Sequence, residues 1–227
     1  MIREGSLEEI SDGRLYGSRD LVKVDTDGCK GCSACCRGMG TSLVLDPLDV
    51  HQLRCGLGRD FMSLMEDAIE LNMVDGMILP NIRMQGEEEA CCFLNEEGRC
   101  RIHEIRPGFC RLFPLGRYYG GDGFAYILQI HECPKAGRKK VRVNQWIGQD
   151  NMKEYEKFCL QWHNMQKRVQ VLMARIPEEA QRSISTYVLK VFYLQPYDAK
   201  SDFYQQFYVR VAGIDSVLRD LEQAAGR

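Results

Sequence analysis

The sequence predicts an α+β protein, in which a loop-rich module with short strands and a hairpin is followed by a C-terminal helical region. Ten of the 11 cysteines lie between residues 21 and 143, among frequent glycines. Beyond residue 142 cysteine nearly disappears, and apolar side chains recur at the spacing of amphipathic helices. We therefore expect a polar N-terminal arm at 1–20, a cysteine-cluster module at 21–143, and a helical region at 144–227 packed on the module.

Runs of β-forming residues predict the strands of the module. Residues 21–24 and 41–45 are rich in Leu and Val, and the loop 25–40 between them holds four glycines and four cysteines. Residues 76–84 predict a further strand. The clearest hairpin lies at 117–130, where a Gly-Gly-Asp-Gly turn joins two runs of β-forming residues.

Capping residues predict where the helices begin. Asp46, followed by a proline, indicates a helix that ends at Gly56, and Asp60 indicates a second helix. In the C-terminal region we expect a long helix, a helix opened by Pro177, and a last helix capped by Ser201. The long helix has an apolar face made of Tyr155, Phe158, Cys159, Trp162, Val169, Leu172 and Met173. The second predicted helix carries apolar residues at helical spacing: Phe61, Leu64, Met65, Ala68 and Ile69.

Composition indicates an ordinary globular chain in a reducing compartment. The chain is 44% hydrophobic and 27% charged, so it can bury a core without cross-links such as disulfides or bound metals. We see no signal peptide and no apolar run that could span a membrane, and we expect a cytoplasmic protein with reduced thiols. The net charge of −2 gives no field that would recruit nucleic acid or an anionic membrane, so neither is an expected partner.

Cys29, Cys32 and Cys35 have the spacing of metal ligands. Two intervening residues let successive thiolates turn back onto one centre, as in the ferredoxin-type loops that supply three corners of a cubane cluster. Cys36 differs, because the side chains of adjacent residues diverge. We expect Cys36 to serve a second centre, a neighbouring iron, or no metal.

Later cysteines are candidates for the remaining ligands: Cys91, Cys100, Cys110 and Cys133. Thiolates suit zinc or iron–sulfur clusters rather than calcium or magnesium. The ferredoxin-like triple favours a [4Fe–4S] cluster with one distal cysteine as the fourth ligand, and a structural Zn²⁺ ion held by four thiolates is the alternative. Either centre leaves an excess of negative charge.

Arginines lie next to these cysteines and can offset that charge. We expect Arg106 and Arg111 to donate hydrogen bonds to metal-bound sulfurs, whereas Arg37 and Arg99 fit a solvated surface equally well. His103 could ligate, as could His131, although a histidine near a cluster is more often a donor to its ligands.

Three motifs occur in a fixed order. The first motif begins at Cys29 and reads Cys-x2-Cys-x2-Cys-Cys. The second begins at Cys91 with Cys-Cys-Phe-Leu and continues over 100–114 as Cys-Arg-Ile-His-Glu-Ile-Arg-Pro-Gly-Phe-Cys-Arg-Leu-Phe-Pro. The third is Cys-Pro, which begins at Cys133. Over residues 29–147 they resemble the YkgJ-type cysteine-cluster family, which implies a zinc- or iron-chelating domain, often labelled an Fe–S oxidoreductase. The related flagellin lysine N-methylases carry the same cysteine pattern.

The resemblance implies a metal but no defined reaction. The family pattern Cys-x-Phe-Leu implies that Cys91 rather than Cys92 ligates, so we expect Cys92 to be buried. The chain departs from the family at His103, where Tyr is common, and after Cys133, where it has Cys-Pro-Lys-Ala-Gly instead of Cys-Pro-Gly-Ile-Gly. We expect the other two cysteines to lie in the core: Cys55 and Cys159.

The sequence leaves three functions open. The first is a redox or radical-type enzyme whose cluster acts on a protein or peptide. The second is a non-enzymatic zinc- or iron-binding module that serves structure, metal delivery or sensing. Lysine methylation, taken from the relatives, ranks last, because the chain offers no independent cofactor motif. The basic run 135–142 fits a solvated loop, with contact to an acidic substrate or nucleic acid as the alternative.

Overall fold

The computed structural model describes residues 6–26 and 32–225, and their contacts divide the chain into two compact units. The first unit comprises the chain up to Val44 together with Ile82–Tyr155, and the second comprises Leu45–Asn81 together with the chain from Glu156 onward. Helices are mixed with short two-stranded sheets, which confirms the predicted α+β class. The proposed domain boundary at residue 143 stays a prediction.

The α-helices, in chain order, are α1 (Leu7–Ile10), α2 (Pro47–Leu57), α3 (Phe61–Asp67), α4 (Gly108–Leu112), α5 (Val143–Ile147), α6 (Met152–Met173), α7 (Glu178–Leu189) and α8 (Phe203–Ala225). The strands are β1 (Leu21–Asp25), β2 (Ile69–Val74), β3 (Met77–Ile82), β4 (Met84–Gln85), β5 (Ala90–Cys91), β6 (Leu115–Gly120), β7 (Gly123–Leu128) and β8 (Lys139–Arg142). Short 3-10 turns lie at Ala34–Cys36 and His103–Ile105, and a π-helical turn continues α7 over Lys190–Leu194.

The β6–β7 hairpin anchors the first unit. Its antiparallel register runs from Leu115 opposite Leu128 to Gly120 opposite Gly123, which confirms the predicted hairpin. Tyr16 and Tyr126 exchange two backbone hydrogen bonds of 2.8 Å, and both side chains are buried. The segment around Tyr16 therefore lies along β7.

A second ribbon pairs β1 with β8 and packs against α5. The predicted strand at 21–24 is confirmed, and Val22 and Val24 are each 1% exposed. Val143 and Ile147 of α5 are fully buried, and α5 also contacts α4. This contact places α5 between the ribbon and α4 within the first unit.

The second unit begins with α2, whose start was predicted and whose end was not. The Asp46 carboxylate caps the helix by accepting a hydrogen bond from the Asp49 amide at 2.8 Å. The Asp49 carboxylate in turn accepts a hydrogen bond from the Asp46 amide. The helix runs through Gly56, ends at Leu57 and is capped by Gly58, where φ is +63°. Glycine adopts this left-handed conformation at low cost, and the conformation stops the helix at Gly58. The predicted end at Gly56 is therefore wrong.

The predicted helix through Ile69 is wrong in its last turn. Asp60 caps α3 as expected, but α3 ends at Asp67 and Ile69 opens β2. Asp75 and Gly76 then connect β2 to β3, with φ values of +48° and +83°. Positive φ at both central residues is the signature of the tight turn that joins hairpin strands, and it favours Asp-Gly.

The strand predicted at 41–45 does not form. Instead, the Leu45 amide donates to the Pro80 carbonyl at 2.8 Å, and the Leu43 carbonyl accepts from the Ile82 amide at 3.0 Å. The chain enters the cap of α2 at Asp46, so the segment ends before a ladder can form.

Aromatic side chains form the core of the second unit. Phe158 and Phe207 have ring centroids 4.6 Å apart, and Trp162 lies 5.1 Å from Phe192. All seven residues of the predicted apolar face of α6 are buried, which confirms that face.

The last helix starts with a different cap from the one predicted. The amide of Gln205 donates to the Asp202 carboxylate at 2.8 Å, while the Ser201 hydroxyl donates to Asp198. Asp202 therefore caps α8. No helix within residues 6–26 and 32–225 is long and apolar enough to cross a membrane.

Replacing Phe207 by Ala tests the aromatic core. Phe207 is fully buried and its ring contacts Phe158, Trp162 and Phe192. We expect F207A to lower the free energy of unfolding by about 3–5 kcal/mol, because it removes buried area and leaves a cavity. Urea unfolding followed by circular dichroism measures this change. Val209→Ala, at a site 73% exposed on the same helix, is the control and should cost less than about 0.5 kcal/mol. Equal losses would contradict the assignment.

Candidate metal centre

The first cysteine segment is tied to the second by backbone contacts. Cys35 and Cys36 lie on the 3-10 turn, and the next residue, Arg37, forms a β-bridge with Ala90 beside Cys91. The amide of Gly38 donates to the Glu89 carbonyl at 3.1 Å. An ion pair between Arg37 and Glu88 lies on the outside of this joint.

A tight turn returns the chain from Cys91 to Cys100. Asn95 and Arg99 exchange hydrogen bonds, in which the Arg99 amide donates to the Asn95 side chain at 2.7 Å. Leu94 then bridges to Cys100. This turn brings the two cysteines to one side of the unit.

Cys110 lies on α4, which follows Pro107 directly. The Arg111 side chain donates from Nε to the Arg106 carbonyl at 2.9 Å and also donates to the Glu104 carbonyl. Arg111 thus fixes the loop before α4. Trp146 of α5 donates from Nε1 to the Phe113 carbonyl at 3.1 Å and fixes the segment that follows the helix.

These segments enclose a cavity of about 110 Å³ within the first unit. Six predicted ligands line it: Cys32, Cys35, Cys36, Cys91, Cys100 and Cys110. Much of the wall is apolar and includes Leu43, Ile82, Phe93, Phe109, Phe113 and Trp146. Arg99, His103 and Arg106 also line it. The structure therefore brings thiols from four segments of the chain to one largely apolar enclosure.

Two predicted ligands are not in that group. Cys29 lies outside the described residues. Cys133 does not line the cavity, and its carbonyl accepts a hydrogen bond from Arg138 at 2.6 Å. His131 is exposed and also does not line the cavity.

The remaining cysteines are placed individually. Cys92 and Cys159 are buried, as predicted. Cys55 is exposed on α2, with its sulfur 3.8 Å from both ring nitrogens of His51, so its assignment to the core is wrong. The sequence of α2 shows no clear apolar side, so it could not indicate whether Cys55 faces the core or the solvent.

Hydrogen bonds between adjacent thiols control the ionisation of the site. The pKa of Cys35 is raised by its hydrogen bond to Cys36 and by burial. The pKa of Cys91 is lowered to about 7 by a hydrogen bond from the Cys92 thiol, in opposition to burial. Burial raises the pKa of Cys100. Cys91 is thus prepared to ionise near neutral pH.

Two arginines act on these sulfurs, Arg101 on Cys91 and Arg106 on Cys35 and Cys100. The positive charge of Arg106 lowers the pKa of both Cys35 and Cys100, against the effect of burial. Its terminal nitrogen lies 2.7 Å from His103 Nε2, and its buried Nε has no hydrogen-bond partner among the residues that the structure describes. Arg106 and Arg111 were predicted together, but their positions differ, since the Arg111 guanidinium donates to backbone carbonyls.

The donor set fits a soft metal. Six thiols, an apolar wall and a neighbouring guanidinium suit zinc or an iron–sulfur centre better than a hard cation. In the part of the chain that the structure describes, no three His, Cys, Asp or Glu side chains are grouped closely enough to hold an ion. A metal that binds here must therefore displace thiol protons and draw the sulfurs together.

Fold and donor set define a cysteine-rich metal-binding module. The family model CxxCxxCC, described as "Putative zinc- or iron-chelating domain", matches residues 28–159, more than half of the chain, and the protein belongs to this family. The resemblance found in the sequence is confirmed. Neither curated proteins nor solved structures gave a significant match.

Parts of the cavity wall were missed by the sequence analysis. The first unit consists of two stretches of chain, and Leu43 lies near the end of the first. Ile82 begins the second stretch, Ile82–Tyr155, and Trp146 lies near the end of that stretch. An aromatic residue in a short helix was the only available signal for Trp146. Contacts over such distances along the chain depend on tertiary packing rather than on local pattern.

Cysteine replacement tests the ligand set. We expect Cys110→Ser to lose bound metal and solubility together, because metal binding is coupled to folding of the loop-rich segment 86–143. Cys29→Ser should behave in the same way. Metal content and the soluble fraction of purified protein are the measurements. The controls, Cys55→Ser and Cys159→Ser, should keep the metal. Normal metal binding by Cys110→Ser would show that the ligand set is wrong.

Alkylation of the metal-free protein tests the Cys91–Cys92 hydrogen bond. We expect Cys92→Ala to slow iodoacetamide labelling of Cys91 at pH 7 by roughly tenfold or more, because loss of the donor raises the thiol pKa and lowers the thiolate fraction. Peptide mass spectrometry follows the rate. Cys159→Ala removes a buried thiol of the second unit and should leave the rate unchanged. An unchanged rate in Cys92→Ala would rule out the hydrogen bond as the cause.

Proposed function

We propose that this protein holds an iron–sulfur cluster, of the [4Fe–4S] type, in the cysteine cavity and uses it in redox chemistry on a protein or peptide. Cys29, Cys32 and Cys35 are the proposed ligands of three corners, with one of the later cysteines as the fourth. The observation that carries the proposal is a cavity of about 110 Å³ with six thiols in its wall.

The volume of the cavity supports a cluster over a single ion. A structural zinc ion sits at the centre of four sulfurs, each about 2.3 Å away, and needs no further space. The cavity exceeds the roughly 30 Å³ that one water molecule occupies in the liquid. Additional volume among thiols is what inorganic sulfide, or a ligand beside the metal, requires.

The surroundings of the thiols support redox chemistry. An apolar wall and nearby hydrogen-bond donors are the means by which proteins set the potential of a cluster. Phe93, Phe109 and Trp146 exclude water from one part of the wall, and Arg106 places a positive charge near Cys35 and Cys100. A cluster bound here would supply one-electron transfer. The residues of the chain hold it, limit water and offset its charge.

The surplus of thiols supports a second candidate function. Six cavity thiols exceed the four that one centre needs. Spare thiolates allow stepwise exchange of ligands, which suits a non-enzymatic module that delivers or senses zinc or iron. The two candidates differ in their response to a reductant and to added ligands, because a structural site is closed and redox-silent.

Anaerobic purification tests the proposed cluster. We expect iron and acid-labile sulfide in about a 1:1 ratio, as in the cubane, and visible absorption that bleaches reversibly on reduction. Cys100→Ser should lower both contents, whereas Cys55→Ser should keep them. Stoichiometric zinc without sulfide would end the iron–sulfur proposal. A cluster whose spectrum is indifferent to reductant and to added peptide would favour the binding module.

A further inference from the structure

The β1–β8 ribbon exposes a basic face in the first unit. Lys23 lies opposite Lys140, and Leu21 lies opposite Arg142. Directly opposed residues project to the same side of a sheet, so these four side chains share one face. All four are exposed, and Leu21 is 56% exposed, whereas Val22 between them points inward. We call this face the basic ribbon.

The charge of the basic ribbon differs from that of the chain. Its four side chains include three cations, Lys23, Lys140 and Arg142, and no carboxylate, while the formal net charge of the protein is −2. Among the residues that the structure describes, Lys23, Lys140 and Arg142 have no side-chain hydrogen bond or ion pair. Like charges opposed across strands are destabilising, so an anionic partner on this face would relieve an unfavourable arrangement.

The basic ribbon is connected to the cysteine cavity through the helix that follows β8, and to the Cys133 loop through the residue that precedes β8. Arg138, the residue before β8, holds the Cys133 carbonyl. The helix α5 begins directly after β8, packs against β1 and β8, and contributes Trp146 to the cavity wall. A partner on the ribbon would therefore lie on the same unit as the thiols.

We propose that the basic ribbon docks an acidic electron-transfer protein that exchanges electrons with the cluster, which rests on the proposed function. Complementary charge steers transient redox complexes, whose interfaces are small. Leu21 supplies an apolar contact beside the cations. One electron would pass from the reduced carrier to an oxidised cluster held by the cavity cysteines. The carrier would be oxidised and the cluster reduced, and no covalent bond would form or break.

An acidic protein fits this face better than nucleic acid does. Binding of single strands combines cations with aromatic side chains on which bases stack. None of the four side chains of the basic ribbon is aromatic, and the formal net charge of the chain is −2. A local basic face on a negative molecule also orients an acidic partner as it approaches.

Charge reversal on the holoprotein tests the docking. The variant is Lys23→Glu with Lys140→Glu and Arg142→Glu, and the matched control is Lys153→Glu with Lys190→Glu and Lys200→Glu, which changes the net charge equally at exposed positions elsewhere. The probe is reduced flavodoxin, an acidic electron carrier, mixed with oxidised holoprotein in a stopped-flow instrument. We expect the second-order rate at low salt to fall roughly tenfold or more in the ribbon variant and to lose its salt dependence. The control should keep most of the wild-type rate.

Dithionite separates the two proposals, because it reduces a cluster without docking. If dithionite reduces all three proteins normally and flavodoxin reduces the two variants at equal rates, the docking proposal is overturned. The lysines would then serve only to keep the strand edges from pairing with other chains. A wild-type protein with no reducible cluster would overturn the proposed function and this inference together. Binding of a labelled oligo-dT strand that the ribbon variant alone loses would assign the face to nucleic acid and also overturn the inference.

Discussion

Six thiols share one largely apolar enclosure, and the first unit is organised around that constraint. Burial disfavours a thiolate, so the sulfurs cannot all ionise without a counter-charge. A bound metal supplies most of that charge, and Arg106 adds a fixed part of it beside Cys35 and Cys100. The sheets of the described part of this unit are two-stranded, and such ribbons are marginal in water by themselves. The metal is therefore expected to contribute to folding as well as to chemistry.

Backbone hydrogen bonds, rather than surface charges, bring the cysteine segments together. The bond from Gly38 to Glu89 and the bridge from Leu94 to Cys100 fix two segments without using a side chain. The Arg37–Glu88 pair lies over the first joint, but its side chains are 39% and 76% exposed. Exposed ion pairs contribute little, so the joint depends on the backbone.

Local pattern predicted those features whose cause is local. The Gly-rich hairpin, the cap at Asp46 and the apolar face of α6 follow from a few neighbouring residues, and all were confirmed. Ile69, the first residue of β2, was misread as helix because a short apolar run fits either period. The Asp75-Gly76 turn decides between them, since both residues take positive φ.

The candidate site was predictable in its donors and not in its walls. Cysteine spacing indicated the thiols that line the cavity, whereas Leu43, Ile82 and Trp146 reach it only through tertiary packing. The role of Cys133 stays a prediction, because its motif indicated a ligand and its position shows a carbonyl held by Arg138. Spacing describes how a loop can turn, but it does not say which side chain the loop turns inward.

The segment from Cys133 to Trp146 shows how one stretch of chain can serve two purposes. Arg138 donates a hydrogen bond to the Cys133 carbonyl, strand β8 carries exposed cations, and helix α5 contributes to the cavity wall. A substitution that moves β8 would therefore act on the surface and on the thiols together. Charge changes that leave the backbone of β8 in place separate the two, because Lys140 and Arg142 project away from the buried face that carries Val22. The exposed charges of the ribbon can consequently vary while the cysteine enclosure stays constant.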